Sequence, residues 1–148
     1  MKDLVTVSGP ISETSRRPSK EIWMHQAIYR TRPDIHAIFH LHSVPCIAAT
    51  LLLGQGNPLR LFTDAHVKKL GRVLHGAYAP AGSQMLADIA AQLFQECDAI
   101  LLYRHGILVG GPSAEEAFLK SEYLVEACQL YITLLSQKDP ALMQLAIS

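Results

Sequence analysis

Alternating side-chain types are clearest in the segment 35–42, which reads IHAIFHLH. A period of two predicts a β-strand whose successive side chains point to opposite faces. One face would be entirely apolar, with Ala37, Phe39 and Leu41. The other would carry three of the seven histidines beside one isoleucine: His36, Ile38, His40 and His42. The pattern therefore predicts a strand with one face in the core and one face of imidazoles.

The remaining pattern predicts helices that alternate with strands. Helices are predicted from Ser19, a favourable N-cap, to Pro33, over 43–54, over 82–97, from 113 to about Leu135, and in a short piece after 138. Strands are predicted at 3–7, 99–104 and 107–111. Residues 55–75 are ambiguous and are predicted to be mostly loop, with a helical turn near 65–71. Interleaved helices and buried strands predict an α/β domain in which helices cover a central sheet.

Composition adds information about size and partners. A chain of 148 residues is expected to form one domain, residues 1–148, with a substantial core. Only 18% of its residues are charged, against a usual value of about 25%, which suggests surface hidden against other subunits. With 13 basic and 13 acidic residues the net charge is +0, which gives no electrostatic reason to expect nucleic acid or an anionic membrane as a partner.

The cysteines and the apolar runs indicate a compartment. Cys46, Cys97 and Cys128 are odd in number, far apart in sequence and not arranged as a CxxC pair. A disulfide framework or a thiolate zinc site is therefore not expected, and a reducing environment is. The sequence shows no signal-peptide pattern and no apolar run long enough to cross a bilayer, so a soluble cytoplasmic protein is predicted.

The imidazole face suggests a metal site. Residues at i and i+2 of a strand lie about 6.6 Å apart, so His40 and His42 could reach one ion at about 2.1 Å. His36 lies about 13 Å from His40 along the strand and is expected at the surface or an interface. A catalytic zinc commonly takes three protein ligands, and His105, at the end of a buried strand before a glycine, is the best third candidate. Weaker candidates are His25, His66 and His75.

Glu21 is the carboxylate best placed to assist such a site, because it lies at the start of the first helix. A glutamate beside a metal-bound carbonyl compound can move protons to and from carbon or oxygen. Ordinary explanations remain open: His-x-His on a strand need not bind metal, and His25 could simply contact Glu21 one helical turn away. The aromatic side chains are more simply explained as core or interface than as cofactor-stacking groups: Trp23, Tyr29 and Tyr131.

Three segments together resemble the class II, zinc-dependent aldolase and adducin-head family. The first, 17–43, reads RPSKEIWMHQAIYRTRPDIHAIFHLHS, and the second, 99–131, contains a His-Gly turn, a glycine-ended strand and a long helix. The third, 77–90, reads AYAPAGSQMLADIA and resembles the family's link into the intervening helix. The resemblance covers nearly the whole chain and implies a three-layer αβα fold with a mostly antiparallel sheet.

The resemblance also implies roles for individual residues. His40, His42 and His105 match the family's zinc ligands, Glu21 matches its proton-transferring acid, and Ser19 matches a serine that helps hold the substrate phosphate. Members act on small phosphorylated sugars and sugar acids through a metal-stabilised enediolate, and are typically tetramers with sites at subunit interfaces. An all-imidazole site also accepts other divalent ions, including manganese and iron.

Two departures from the family pattern qualify this interpretation. Lys20 stands where the family usually has a second serine; it could still contact a phosphate, and it resembles a subgroup of sugar-acid phosphate decarboxylases. Members of the family normally begin well upstream of the position that corresponds to Met1, with a segment that includes a loop of the phosphate pocket. That segment is not recognised in this sequence, so we expect the chain to be a fragment or a truncated relative. Such a chain should keep zinc binding better than catalysis and should expose a sheet edge.

The sequence therefore favours a zinc-dependent lyase of carbohydrate metabolism, acting on a small phosphorylated compound, with Ser19 and Lys20 as substrate-binding residues. The alternative is a catalytically silent, adducin-like interaction module that keeps the fold. The sequence leaves open the substrate and the choice between cleavage, decarboxylation, dehydration and epimerisation.

Overall fold

The computed structural model describes residues 18–147, so the strand predicted at 3–7 lies outside the described residues. Within this range the helices are α1 (Ile22–Thr31), α2 (Val44–Leu53), α3 (Asp64–Leu70), α4 (Gln84–Leu93), α5 (Ala114–Ser136) and α6 (Pro140–Met143). The strands are β1 (Ala37–Leu41), β2 (Val73–Gly76), β3 (Ala99–Leu102) and β4 (Gly106–Gly111).

The four strands form one mixed sheet in the order β1-β4-β3-β2. β4 pairs antiparallel with both β1 and β3, and β2 joins β3 in parallel at the opposite edge. His40 lies opposite Leu108 in the β1–β4 ladder, and Leu41 lies opposite Ile107. The end of β1 is therefore adjacent to the beginning of β4.

Helices cover both faces of the sheet, which confirms the predicted three-layer α/β architecture with a mostly antiparallel sheet. One core cluster includes Ala49 on α2, Leu101 on β3 and Leu124 on α5. The other includes Ile28 on α1 and Ala90 on α4. Apolar side chains that alternate along β3 and β4 fill both clusters, as expected for a sheet buried on both sides.

The prediction that only one face of β1 fills the core is wrong. Ile38, on the imidazole face, packs against the cluster between the sheet and helices α1 and α4. On the other face, Phe39 contacts Phe118 of α5 edge to face, with ring centroids 6.0 Å apart. Leu41, at the end of that face, is 36% exposed. Both faces are packed because β1 lies beneath a helical layer on each side.

Two other element predictions need correction. The first helix begins at Ile22 and not directly after Ser19, with Glu21 at the N-cap position. Residues 55–75 contain the predicted helical region as α3, but they also contain strand β2, which was not predicted. The cores of the other predicted helices and strands in the described range are confirmed.

Arg32 fixes the turn between α1 and β1. Its guanidinium donates to the carbonyl of Phe94 at the end of α4 and forms ion pairs with Asp34 and Asp98 at 2.6 and 2.8 Å. The second carboxylate oxygen of Asp98 accepts from Lys120 of α5 at 2.7 Å. This network ties the start of β1 to both helical layers.

None of the helices between residues 18 and 147 combines the length and the hydropathy that a membrane span requires.

Candidate metal centre

The three predicted histidine ligands meet at one end of the β1–β4 ladder. His40 lies within β1, His42 follows its last residue, and His105 immediately precedes β4. Because β1 and β4 are antiparallel neighbours, the end of one strand lies beside the start of the other. Sheet pairing therefore brings His105 to the two histidines of the earlier segment.

A hydrogen bond to a backbone carbonyl orients the ring of His40. Its Nδ1–H donates to the carbonyl of Ile107 at 2.9 Å, which leaves Nε2 as the unprotonated nitrogen. Metal-binding imidazoles are commonly oriented by this kind of bond from the nitrogen that does not bind the ion. The free Nε2 lies 3.0 Å from Nε2 of His42.

The distances among the three rings fit one ion. One nitrogen from each of His40, His42 and His105 lies within 4.8 Å of the other two, and the ring centroids are 4.7 to 5.0 Å apart. Ligand nitrogens of a tetrahedral zinc with bonds of about 2.05 Å would be about 3.4 Å apart. The donor set and its spacing therefore fit a divalent ion with three imidazole ligands.

Burial keeps two of these imidazoles in the form that binds metal. It lowers the pKa of His40, an effect that the nearby His42 reinforces. Burial also lowers the pKa of His105, and His40 acts in the same direction. A lowered pKa favours neutral imidazole near pH 7, as metal ligation requires.

The carboxylate of Glu21 lies beside this cluster. Glu21 is only 6% exposed, and its Oε1 is 3.9 Å from Nε2 of His105. Both carboxylate oxygens are buried and have no hydrogen-bond partner among residues 18–147. The N-cap position of α1 thus directs an unsatisfied carboxylate toward the three histidines.

The two predicted substrate-binding residues precede Glu21. The hydroxyl of Ser19 accepts a hydrogen bond from the backbone N–H of Glu21 at 3.2 Å. The alkyl stem of Lys20 lies over Gly82, where an added Cβ would come within 3.2 to 3.3 Å of it. The positive charge of Lys20 also acts to lower the pKa of His105, after the larger effects of burial and of His40.

The other histidines in the described range lie outside the ligand cluster. His36 is exposed, and His66 is buried in α3 with its Nε2 3.7 Å from a carboxylate oxygen of Glu126. His75 is buried in β2 beside Tyr103. His25 is closer to the site: burial lowers its pKa, and His40 and Glu21 both act on it electrostatically.

Sequence reasoning missed two backbone contributions to the centre. The carbonyl of Ile107 orients His40, and the identity of a side chain gives no signal for such a role. Gly106 lets the start of β4 approach β1, since a Cβ there would overlap the carbonyl of Leu41 and come within 3.0 Å of the His42 ring. The His-Gly pair was a usable signal for the turn but not for this contact.

A groove of about 760 Å³ lies elsewhere, along the β2 edge of the sheet. Its lining is mostly apolar, with Arg60 and Arg72 as its charged residues. Arg72 is already paired with Glu96 at 2.9 Å. Chemically competent side chains are concentrated at the β1–β4 end of the molecule and not in this groove.

Comparison with known proteins agrees with the fold. Residues 2–132 match the family described as Class II Aldolase and Adducin N-terminal domain. An L-fuculose phosphate aldolase of Methanococcus vannielii is 33% identical over 130 residues, covering 86% of this chain and 66% of its own length. A 3-oxo-tetronate 4-phosphate decarboxylase of Escherichia coli is 37% identical over 120 residues, covering 80% and 57%.

A solved structure also has a similar fold. YgbL of Klebsiella pneumoniae superimposes with a TM-score of 0.74 at 37% identity, over 80% of this chain and 58% of its own. The chain belongs to the class II aldolase and adducin N-terminal domain family. It spans about three fifths of the length of these relatives.

Proposed function

We propose that this chain is a metal-dependent lyase that acts on a small phosphorylated sugar or sugar acid. His40, His42 and His105 would hold the ion, zinc in the first instance. The observation that carries the proposal is the buried carboxylate of Glu21, which has no hydrogen-bond partner in the described range and lies 3.9 Å from a ligand imidazole. A purely structural site would have no physical need for a charged group in that position.

Each side chain has a separate task in this proposal. A divalent ion bound by the three imidazoles would polarise a carbonyl group and stabilise the negative charge that develops on its oxygen. Glu21 would take up a proton from the substrate as a bond to carbon breaks, and return one to the product. The low exposure of Glu21 limits competition from water during that exchange.

Ser19 and Lys20 would hold the substrate phosphate. They are the two residues before Glu21, and the stem of Lys20 packs on Gly82. A lysine supplies a point charge that suits a phosphate group. Phosphorylated substrates are also named for both the aldolase and the decarboxylase relatives.

The proposal includes one domain over residues 1–148, a homo-oligomer and a cytoplasmic location. The family match spans 2–132, and large apolar side chains are exposed on the described surface, among them Trp23, Val44 and Met85. Exposed apolar groups of this size suit contacts between subunits. Cys46, Cys97 and Cys128 are free and buried, as a reducing compartment would permit.

The test is turnover by the full chain loaded with zinc or manganese. L-Fuculose 1-phosphate and a 3-oxo-tetronate 4-phosphate would be supplied separately. Cleavage of the ketose phosphate is detected as dihydroxyacetone phosphate, and decarboxylation as released carbon dioxide. Metal-dependent product from either compound supports a lyase and shows which bond is broken.

A folded chain that binds metal but turns over neither compound would contradict this substrate class. A folded chain that retains no metal would favour the alternative, a silent adducin-like interaction module. Phosphate release alone, with no carbon–carbon bond broken, would also contradict the proposal.

A further inference from the structure

The turn that carries His105 has a strained backbone. Arg104, the residue before it, has φ +58°, in the left-handed region that side chains other than glycine seldom occupy. The N–H of His105 closes the turn by donating to the carbonyl of Leu102 at 3.0 Å. A residue held in this region needs contacts that favour its conformation.

Thr50 of α2 supplies such a contact. Its hydroxyl accepts a hydrogen bond from the backbone N–H of Arg104 at 3.1 Å, across 54 positions of sequence. The same hydroxyl donates to the carbonyl of Ile47 at 2.7 Å, which fixes its orientation. Thr50 is 0% exposed, so water does not compete for the Arg104 amide there.

Helix α2 is therefore tied to both sides of the candidate centre. It starts two residues after His42, with Ser43 between them at the N-cap position. Two of its turns later, Thr50 reaches the turn that presents His105. The helix is itself fixed in the core by Cys46 and Ala49, both 0% exposed.

We propose that Thr50 is a positioning residue for the metal centre. Its hydroxyl holds the amide of Arg104, and so keeps the imidazole of His105 within reach of His40 and His42. This inference rests on the proposed metal site and adds to it a residue that touches neither the ion nor the substrate.

The test compares Thr50→Val, which keeps the shape and removes the hydroxyl, with Thr50→Ser, which keeps the hydroxyl. Affinity for Co²⁺, followed by its visible absorption, should fall about tenfold in Thr50→Val, as it does when groups that orient metal ligands are lost. Thr50→Ser should bind Co²⁺ like the wild type. Amide hydrogen exchange at Arg104 in the metal-free protein should speed up in Thr50→Val only.

Ser121→Ala is the matched control. Ser121 is also a buried helical hydroxyl that donates within its own helix, to the carbonyl of Ala117 at 2.7 Å, but it lies on α5 and does not hold the Arg104 amide. Its removal should leave Co²⁺ affinity and exchange at Arg104 unchanged. An equal loss of Co²⁺ affinity in Ser121→Ala would overturn the specific role of Thr50.

Two further results would overturn the role proposed for Thr50, and they can be distinguished from each other. Equal Co²⁺ affinity in wild type and Thr50→Val would remove the role of Thr50 and leave the metal site intact. No Co²⁺ binding by the folded wild type would remove the proposed metal site together with this role.

Discussion

The carboxylate of Glu21 is buried with both oxygens unsatisfied among residues 18–147. Burial of a carboxylate without hydrogen bonds opposes folding, so the protein retains this group at a cost in stability. Its neighbours explain the arrangement, because Ser19 holds the amide of Glu21 and His105 lies 3.9 Å from its side chain. At this scale the candidate site combines hydrogen-bonded neighbours with one buried carboxylate that has no hydrogen-bond partner in the described range, as the proton-transfer role proposed for Glu21 would require.

Glu21→Gln should lower turnover without lowering the bound zinc. The amide is nearly the same size but cannot exchange the proton, so turnover should fall by a factor of about 10² to 10⁴. Zinc content, measured by elemental analysis, should stay at the wild-type level, and the melting temperature should not fall. Glu122→Gln, on the exposed face of α5, is the control and should retain full turnover. Wild-type turnover by Glu21→Gln would exclude the proposed role of this carboxylate.

His40→Ala and His105→Ala should each abolish retention of zinc during purification without added metal. Either change leaves two imidazoles, too few for a stable three-ligand site. His36→Ala is a suitable control, because His36 is exposed and lies just before the same strand but outside the cluster. Retention of one zinc per chain by both site variants would show that the ion binds elsewhere.

The cluster of candidate ligands could be predicted from sequence in two ways: His40 and His42 from side-chain type and parity, and His105 from its place at the end of a buried strand before a glycine. His40, in β1, and His42, just after it, have the same parity and so share a face wherever that strand lies in the sheet. Thr50 could not be found in this way. Its importance comes from a hydrogen bond to a backbone amide 54 positions away, and threonine in an apolar helix carries no sign of it.

At the scale of elements, the centre depends on how closely β4 approaches β1. Gly106 stands where any side chain would overlap the carbonyl of Leu41, so the pairing needs a residue without a Cβ at that point. The ladder then continues regularly from Leu41 opposite Ile107 to Ala37 opposite Gly111.

Gly106→Ala should therefore reduce both stability and metal affinity. The added methyl group must move one strand, and overpacking of this kind lowers the free energy of unfolding by about 1 to 3 kcal/mol. Urea unfolding and Co²⁺ titration measure the two effects. Gly56→Ala is the control: a Cβ there meets nothing within 4 Å, so it carries only the strain of φ +80° and should bind Co²⁺ normally. Unchanged Co²⁺ affinity in Gly106→Ala would show that strand separation does not control the centre.

Periodic elements were predictable, whereas short elements defined by long-range pairing were not. Helix α5 extends over 23 residues, and at its N-cap the hydroxyl of Ser113 accepts a hydrogen bond from the Glu116 amide, so local signals define it well. Strand β2 has four residues and gains its identity from parallel pairing with β3. No local sequence pattern indicates that β2 pairs with a strand elsewhere in the chain. The start of α1 was misplaced because Ser19 has a good capping side chain but stabilises the turn before the helix.

For the molecule as a whole, buried imidazoles connect folding with pH. Burial is the main cause of a lowered pKa at four histidines: His25, His40, His75 and His105. Their pKa in the unfolded chain is about 6.5. Below that pH the unfolded chain binds protons that the folded chain does not, so acid shifts the equilibrium toward unfolding.

The metal-free protein should therefore lose stability as the pH falls from 7 to 5. Each additional proton bound by the unfolded chain lowers the free energy of unfolding by up to about 1.4 kcal/mol per pH unit. Urea unfolding at several pH values, with a chelator present, measures the slope. His75→Gln should reduce the slope and His36→Gln should not, since His75 is 5% exposed and His36 is exposed. A flat profile between pH 7 and 5 would contradict this account.

The hydrogen bond from the His40 ring to the carbonyl of Ile107 joins residues 67 positions apart, and this separation has a kinetic consequence. Contacts between distant residues form slowly, because a long loop must close before they exist. In the unfolded chain only His40 and His42 are close enough to share an ion. We therefore expect a bound ion to stabilise the native state but not the folding transition state. It should then slow unfolding and leave the folding rate nearly unchanged. Its effect would be a longer lifetime of the native state.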